Sequence, residues 1–257
     1  MSIITLTSDW GLKDHYLAVV KASIFFQLSD VNIVDISHLI PHYDIAQAAF
    51  IVKNAYPYFP KGSIHIIGLN TVASIDTPHI GIYADGHYFI GADNGVFSLI
   101  FEKMPERIVE LEITQDSDYF TFSTKDVFVK AACYIAKGGK LEDLGSVKNQ
   151  LNVKNSLLSI KNENSISGNV VYVDSYENIV TNISEVDFRS IQKGRAFRIE
   201  VRKNIVNKLS KSYNDVPEGE LLALFASNGM LEIALNNDKA KSLLGLSYAD
   251  VIKVRFI

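Results

Sequence analysis

The chain has 257 residues, 47% hydrophobic and 21% charged, with a mean hydropathy of +0.11, a balance that excludes a disordered chain, a collagen-like repeat and a membrane-embedded core. A net charge of −4 and an isoelectric point near 5.9 leave no basic surplus to displace phosphate counterions, so nucleic acid is not an expected partner. The single cysteine, Cys133, has no disulfide partner and no zinc spacing, and its place in the apolar run 127–135 predicts a buried, inert thiol.

Residues 1–7 lack the basic flank and cleavage site of a signal peptide, and no apolar window approaches the ~18 residues of a membrane span, so a cytoplasmic protein with no membrane partner is expected. Residues 3–7 form a β-type run, and residues 14–28 follow with Leu17, Val20, Ile24 and Phe25 at helical spacing, which predicts a strand leading into an amphipathic helix. Residues 31–36 read as a second short buried strand. Asp44 is a cap residue with Gln47 three positions on, and Ile45, Ala48, Ala49 and Val52 supply the inward face of the next helix. That helix stops before Pro57, and Pro60-Lys61-Gly62 turns the chain into a third strand over 63–69. The alternation predicts an α/β unit with a largely parallel sheet and flanking helices.

Asp85-Gly86 marks a hairpin turn within 83–90, Asn94-Gly95 precedes a short helix over 96–101, and 126–137 reads as a helix ended by Gly138-Gly139. Past residue 150 the texture changes: 152–164 is polar, and short β-type runs follow at 169–173, 179–183, 196–201, 221–225, 230–234 and 251–257. A boundary is expected near residue 157, giving an N-terminal α/β domain over 1–157 and a small all-β barrel or sandwich over 158–257.

In an open α/β sheet, ligands collect at the carboxyl ends of the parallel strands. Three predicted strands end there in polar groups, Thr7-Ser8-Asp9, Asp35-Ser37-His38 and Asn70-Thr71, which should converge on one rim unless they only cap turns and helices. The six histidines all lie within 15–87, but no pair has the helical spacing of a zinc hydrolase, and His65 and His87 fall in strand-like runs; no metal is assigned. Neither a Gly-rich phosphate loop nor a Gly-x-Ser-x-Gly elbow occurs, which disfavours a nucleotide held by its phosphates but is compatible with an adenosyl group held by carboxylate, amide and aromatic side chains.

Six segments stand in order along nearly the whole chain: Thr7-Ser8-Asp9-Trp10-Gly11-Leu12-Lys13-Asp14; Val34-Asp35-Ile36-Ser37-His38 leading to Asp44-Ile45; residues 55–65; Ala92-Asp93-Asn94-Gly95-Val96-Phe97-Ser98; residues 174–183; and residues 227–234. Together they resemble the S-adenosylmethionine (SAM) hydroxide adenosyltransferase family, which also contains the fluorinase and chlorinase. The fifth, beginning Asp174-Ser175-Tyr176-Glu177-Asn178, is similar to the family's Asp-x-Phe-Gly-Asn-x-x-Thr-Asn-Ile, and the sixth, beginning Ser227-Asn228-Gly229, to its Ser-x-Gly-x-Leu-Glu-Ile-Ala.

The resemblance implies an N-terminal α/β domain, a C-terminal β-barrel and a homotrimer in which each SAM site lies between one subunit's N-domain and a neighbour's C-domain. SAM is substrate or ligand, and no cofactor is implied. Asp9 would hold the ribose hydroxyls, Tyr43 would pack on the ligand and Phe122 would lie near C5′. Asp174 would bind the methionine ammonium, while Tyr176, Asn178 and the backbone around Asn236 would contact the adenine; Asn228 is a further candidate contact. The family's water-positioning Asp, Arg and His correspond here to Asn70, Thr77 and Ser123, so none of the three is ionisable. Thr124 stands near the halide pocket of the halogenating members, but the chain lacks the insertion associated with fluorinases, which disfavours halogenation. Asp76 and Lys125 are spare charged groups that could substitute. Two functions are expected from this pattern: hydrolysis of SAM to adenosine and L-methionine by attack at C5′, or a SAM- or adenosine-binding module that has lost the reaction.

Overall fold

The computed structural model describes residues 2–115 and 121–257, and the chain divides into two compact units, Met1–Asn155 and Ser156–Ile257. The first unit runs β1 (Ser2–Ser8), α1 (Tyr16–Gln27), β2 (Val31–Ser37), α2 (Ile45–Ala55), β3 (Ile64–Gly68), β4 (His79–Ala84), β5 (His87–Ala92), α3 (Val96–Ile100), β6 (Arg107–Leu111), α4 (Val129–Ala136) and β7 (Gly145–Lys148). A π-turn over Thr124–Phe128 leads into α4. The strands form one sheet in the order β2-β1-β3-β5-β4-β6-β7.

β1 pairs in parallel with β2 and β3, and β3 with β5, whereas β4 runs antiparallel to β5 and β6, and β6 to β7. The sheet is therefore mixed, and the expectation of a largely parallel one is corrected. The cause is local: Asp85 and Gly86 take φ of 52° and 82°, the two left-handed residues of a type I′ hairpin, and a hairpin forces its strands antiparallel.

Strand alternation divides the core between the two faces of this sheet. Ile4, Leu6, Ile64 and Ile66 pack with Val20 and Ile24 of α1 and Ala131 and Ala132 of α4. On the other face Ile67, Ile82 and Phe89 meet Ile45, Ala48, Ala49 and Val52 of α2 and Phe97 of α3. Two burial expectations are corrected. Phe25 is 55% exposed, because it lies about 100° around the helix from buried Ile24. β2 is not a buried strand but a half-exposed one, since it is the edge of the sheet and has β1 as its single neighbour. Asp44 does cap α2: its Oδ1 accepts from Gln47 N at 3.0 Å, and Gln47 Nε2 donates to Oδ2 at 2.9 Å.

The second unit runs β8 (Ile160–Asn162), β9 (Ser165–Val173), β10 (Ile179–Ser184), α5 (Glu185–Gln192), β11 (Phe197–Val201), β12 (Asn204–Val206), β13 (Leu221–Phe225), β14 (Met230–Leu235), α6 (Ala240–Leu244) and β15 (Val251–Phe256). Its antiparallel sheet follows the order β12-β11-β15-β9-β10-β14-β13, with β8 added beside β9. Ser210 N, just past β12, donates to Ala223 O of β13 at 2.8 Å and draws the two ends together into a nearly closed barrel-like sheet. The interior holds Ile166, Ile179, Ile199, Ile233 and Val254. Phe188 of α5 reaches into it and meets Phe197, Phe225 and Phe256 edge-on, with ring centroids 5.1, 5.4 and 5.2 Å away. Among the described residues no helix is long and apolar enough to cross a membrane.

A polar cluster is sealed inside the first unit. His65 Nδ1 bonds Thr5 Oγ1 at 2.7 Å, and its Nε2 lies 3.3 Å from His87 Nδ1. The His65 ring also stacks on Phe89 at 4.8 Å. Burial pushes His65 down from 6.5 to about 3, helped by the neighbouring His87. The unfolded chain therefore takes up a proton near pH 6.5 that the folded chain refuses until about pH 3. Stability from this site is full above pH 6.5 and declines as the pH falls through that window, by up to about 1.4 kcal/mol per unit. Urea unfolding from pH 7 to 4 should show this decline, and His65→Gln should flatten it.

Candidate functional site

Because β1, β2 and β3 are parallel, their carboxyl ends share one edge, with Thr7 opposite Ser37 and Ser8 opposite Gly68. The chain leaving β1 is fixed there at several points. Ser8 Oγ lies 2.6 Å from His38 Nδ1, Gly11 N donates to His38 O at 2.8 Å, and buried Asp9 accepts from Tyr43 N through Oδ2 at 2.9 Å. Tyr43 has φ of 65° and is 71% exposed, so its backbone turns in to Asp9 while the ring stays in solvent.

Trp10 stacks on His38, with centroids 6.4 Å apart, and meets Phe122 edge-on at 5.6 Å; Phe122 meets Tyr16 at 5.4 Å. The indole lies so close to β3 that a Cβ on residue 68 would sit 2.6 Å from Trp10 Cζ2 and 3.3 Å from Thr124 Oγ1, which is why glycine stands there. Ser123 and Thr124 are both buried, and among the described residues Thr124 Oγ1 has no hydrogen-bond partner. The structure thus groups Phe122 and Thr124 around Trp10, next to Asp9, with Tyr43 tied to Asp9 through its backbone and Ser123 beside Thr124 in the chain.

Asn70 and Thr77 are placed differently. Asn70, with φ of 50°, is exposed at the end of β3. Thr77 Oγ1 is bonded to Ser74 Oγ at 2.7 Å. No hydrogen bond joins Asn70, Thr77 and Ser123 among the described residues. Of the spare charges, Lys125 pairs with Asp126 at 2.9 Å and Asp76 is exposed. On the β2 side, Lys21 Nζ lies 2.6 Å and His38 Nε2 3.2 Å from the Asp35 carboxylate. Burial holds His38 below its ordinary value, and Asp35 only partly offsets this. Burial raises the Asp35 carboxyl, but Lys21 and His38 outweigh it and leave the group below the usual range.

The second unit carries a cleft of about 770 Å³ lined by Asp174, Tyr176, Asn178, Tyr213, Asn236 and Lys239, among others; this is the size range of small-molecule pockets. The Asp174 carboxylate organises one wall. Its Oδ1 accepts from Tyr176 N at 2.9 Å and Asn178 N at 2.8 Å, and its Oδ2 from Asn178 Nδ2 at 3.1 Å. A carboxylate has about four acceptor sites, so one remains for a cationic donor. Pairing of Ile179 with Ile233 sets Asn178 beside the end of β14 that carries Asn236, and Asn236 Nδ2 is tied to Val216 O at 2.8 Å. Asn228 is not part of this cleft: it caps Met230 N at the opposite end of β14.

Sequence reasoning missed Tyr213, Lys239 and the group beneath them, Glu232. Tyr213 Oη donates to Glu232 Oε1 at 2.8 Å, and Glu232 is 4% exposed. Burial raises both the tyrosine and the glutamate. The one local signal was the capping pair Ser212 and Asp215 around a single helical turn.

The chain matches the model of the SAM hydroxide adenosyltransferase N-terminal domain over residues 4–145 and that of its C-terminal domain over residues 168–253. The (R)-S-adenosyl-L-methionine hydrolase of Methanocaldococcus jannaschii is 30% identical, over 99% of this chain and 96% of its own. The protein of the same name from Thermus thermophilus is 29% identical, over 96% of each. Among solved structures, an uncharacterized conserved protein from Thermotoga maritima superposes with a TM-score of 0.89 at 28% identity, over 98% of this chain and 99% of that one. With both family models matched, and most of the chain covered between them, this protein belongs to the SAM hydroxide adenosyltransferase family.

Proposed function

We propose that this protein is a SAM hydrolase, cleaving SAM to adenosine and L-methionine. The observation that carries this reading is similarity along nearly the whole chain to relatives named (R)-S-adenosyl-L-methionine hydrolase. In the reaction a water oxygen bonds to C5′, the C5′–S bond breaks with its electron pair going to sulfur, and one proton is released to solvent. The sulfonium departs as a neutral thioether, so no general acid is needed, and the protein's task is to align water with C5′ and strip its solvation. SAM is substrate, and no further cofactor enters the scheme.

In this reading Asp9 accepts the ribose hydroxyls. Its Oδ2 is already held by Tyr43 N, so the carboxylate arrives oriented. The aromatic group of Trp10, Phe122 and Tyr16 walls the sugar side, and Tyr43 packs on the ligand. The buried Thr124 hydroxyl, without a partner among the described residues, supports a place for the attacking water, since an unmade hydrogen bond at a buried group costs about 1–3 kcal/mol until something occupies it. Ser123 and Asn70 supply further neutral donors and acceptors, and Thr77 steadies the loop that carries Asn70. Loss of a positioned base costs about 10²–10⁴ in rate, so slow turnover is expected.

Asp174 would take the methionine ammonium on its remaining acceptor site, and Tyr176, Asn178 and the backbone at Asn236 the adenine. We assign this cleft to a neighbouring subunit of a homotrimer. Exposed Leu39, Val72 and Ile75, which is 100% exposed, lie on the segments that follow β2 and β3 and are suited to burial against another copy. Asn228 contacts substrate only if that assembly brings it there. We place the protein in the cytoplasm, where SAM is available. A second reading, a SAM-binding module without turnover, is favoured by one feature: Thr77 and Lys125 are committed to Ser74 and Asp126 rather than free to activate water.

Incubation of the purified protein with SAM, followed by chromatography, should release adenosine and methionine in equal amounts. Binding by calorimetry with no adenosine would instead establish the second reading. Asp9→Ala should weaken SAM binding by about 10²-fold or more, because two charge-assisted hydrogen bonds are lost. Thr124→Val keeps the shape of the side chain but removes its hydroxyl. It should lower kcat roughly tenfold with little change in KM, as expected for a group that acts on the water and not on SAM.

A further inference from the structure

Between Tyr176 and Asn178, which both line the cleft of the second unit, stands Glu177, which does not. Its φ is 65°, in the left-handed region that residues with a Cβ seldom adopt. That conformation turns its side chain and carbonyl away from the cleft-lining neighbours and toward the chain that leaves β14. The Glu177 carbonyl accepts from Lys241 N at 2.9 Å. Its Oε2 accepts from Ser242 N at 3.0 Å and from Ser242 Oγ at 2.5 Å, and its Oε1 lies 3.7 Å from Lys239 Nζ. These contacts tie the turn over residues 174–178 to α6 and, through the Lys239 ion pair, to the segment over residues 235–239 that also lines the cleft.

The turn is thus held from two sides. From within, Asp174 Oδ1 gathers Tyr176 N and Asn178 N. From outside, Glu177 ties it to α6, which continues directly from the 235–239 wall. With the outer tie gone, Asp174 would still form the turn and the β10–β14 pairing would still hold its base, but the tip of the turn that carries Tyr176 would be free to shift against Lys239 and α6. We propose that Glu177 is a positioning residue: it fixes the width of the cleft, and acts on substrate only through Tyr176 and Asn178. This inference rests on SAM being the ligand of the cleft. The Ser242 hydroxyl holds the Glu177 carboxyl below its usual range, so the tie persists into mildly acidic solution.

Glu177→Gly tests this directly, because glycine accepts the left-handed backbone and removes the carboxylate's contacts with Ser242 and Lys239, while the carbonyl bond to Lys241 N and the turn itself can still form. The KM for SAM should rise about tenfold while kcat changes less than about threefold, and the melting temperature should stay within about 3 °C of the parent's. Glu177→Gln keeps an acceptor for Ser242 and should return KM to within about threefold of the parent value. Ser242→Ala should raise KM in the same direction as Glu177→Gly. If the parent binds SAM without cleaving it, Kd by calorimetry replaces KM in the same comparison. An unchanged KM or Kd in Glu177→Gly, beside a parent that binds SAM, overturns this inference alone. A parent that neither binds nor cleaves SAM overturns the proposed function and this inference with it.

Discussion

β1 is hydrogen-bonded in parallel along both of its edges, and the rest of the first unit is arranged around that pairing. Parallel strands finish on the same edge, so the chain leaving β1 has to pass between the chains leaving β2 and β3. It is received on one side by His38 and Tyr43 and on the other by Gly68, whose missing side chain admits the indole of Trp10. A slip of one residue on β1 would exchange Ile4 and Leu6 with Thr5 and Thr7 across the sheet. It would break the Thr5–His65 bond beneath the sheet and the Ser8–His38 bond at its edge together. Core and candidate site therefore share one register.

The placement of charge suits a cationic substrate that loses its charge as it reacts. An anion beside a sulfonium would stabilise the ground state more than the transition state and slow the chemical step. The residues proposed near C5′, Asn70, Ser123 and Thr124, are all neutral, and burial chiefly lowers the proton affinity of His38. The carboxylates assigned to substrate, Asp9 and Asp174, are given to the ribose and the ammonium, which do not change charge during the reaction. Binding there contributes equally to ground and transition states, so it sets affinity without slowing the chemistry. The replacement of an ionisable triad by neutral groups that the family resemblance implies would in this respect be less damaging than for a reaction that needs a proton delivered to its leaving group.

Much of this fold was legible in the sequence wherever local chemistry decides structure. The cap at Asp44, the inward face of α2, the hairpin at Asp85-Gly86 and the turn before α3 each follow from residues within a few positions of one another. What was not legible depends on neighbours distant in sequence. Residues 31–36 are apolar enough for a buried strand, and it is the order of strands in the sheet that makes β2 an edge. The same holds for the C-unit cleft: Asp174 and Asn178 build one turn and are readable as a motif, whereas Tyr213 reaches Glu232 from 19 residues away. Nothing in residues 207–220 announces that contact. Helix α5 was a different kind of omission, since Ser184 and Asp187 form a readable cap, but the β-type runs on either side outweighed it.

Four residues without glycine's freedom, Tyr43, Asn70, Glu177 and Asn237, take left-handed backbone conformations at the candidate sites. Asn tolerates that region through its short polar side chain, but a tyrosine or glutamate there is held at a cost of roughly 1–2 kcal/mol. Each must be held by its surroundings. For Tyr43 the restraint is Asp9 accepting its N–H and Ile45 N donating to its carbonyl; for Glu177 it is Asp174, Lys241 and Ser242. For Tyr43 the strut is the Asp9 carboxylate itself; for Glu177 it is the Asp174 carbonyl, while the Asp174 carboxylate is held by Tyr176 N and Asn178 N on either side. Asp9 and Asp174 are therefore oriented before any ligand arrives, and the ordering cost that a free carboxylate would meet on binding has already been met in folding.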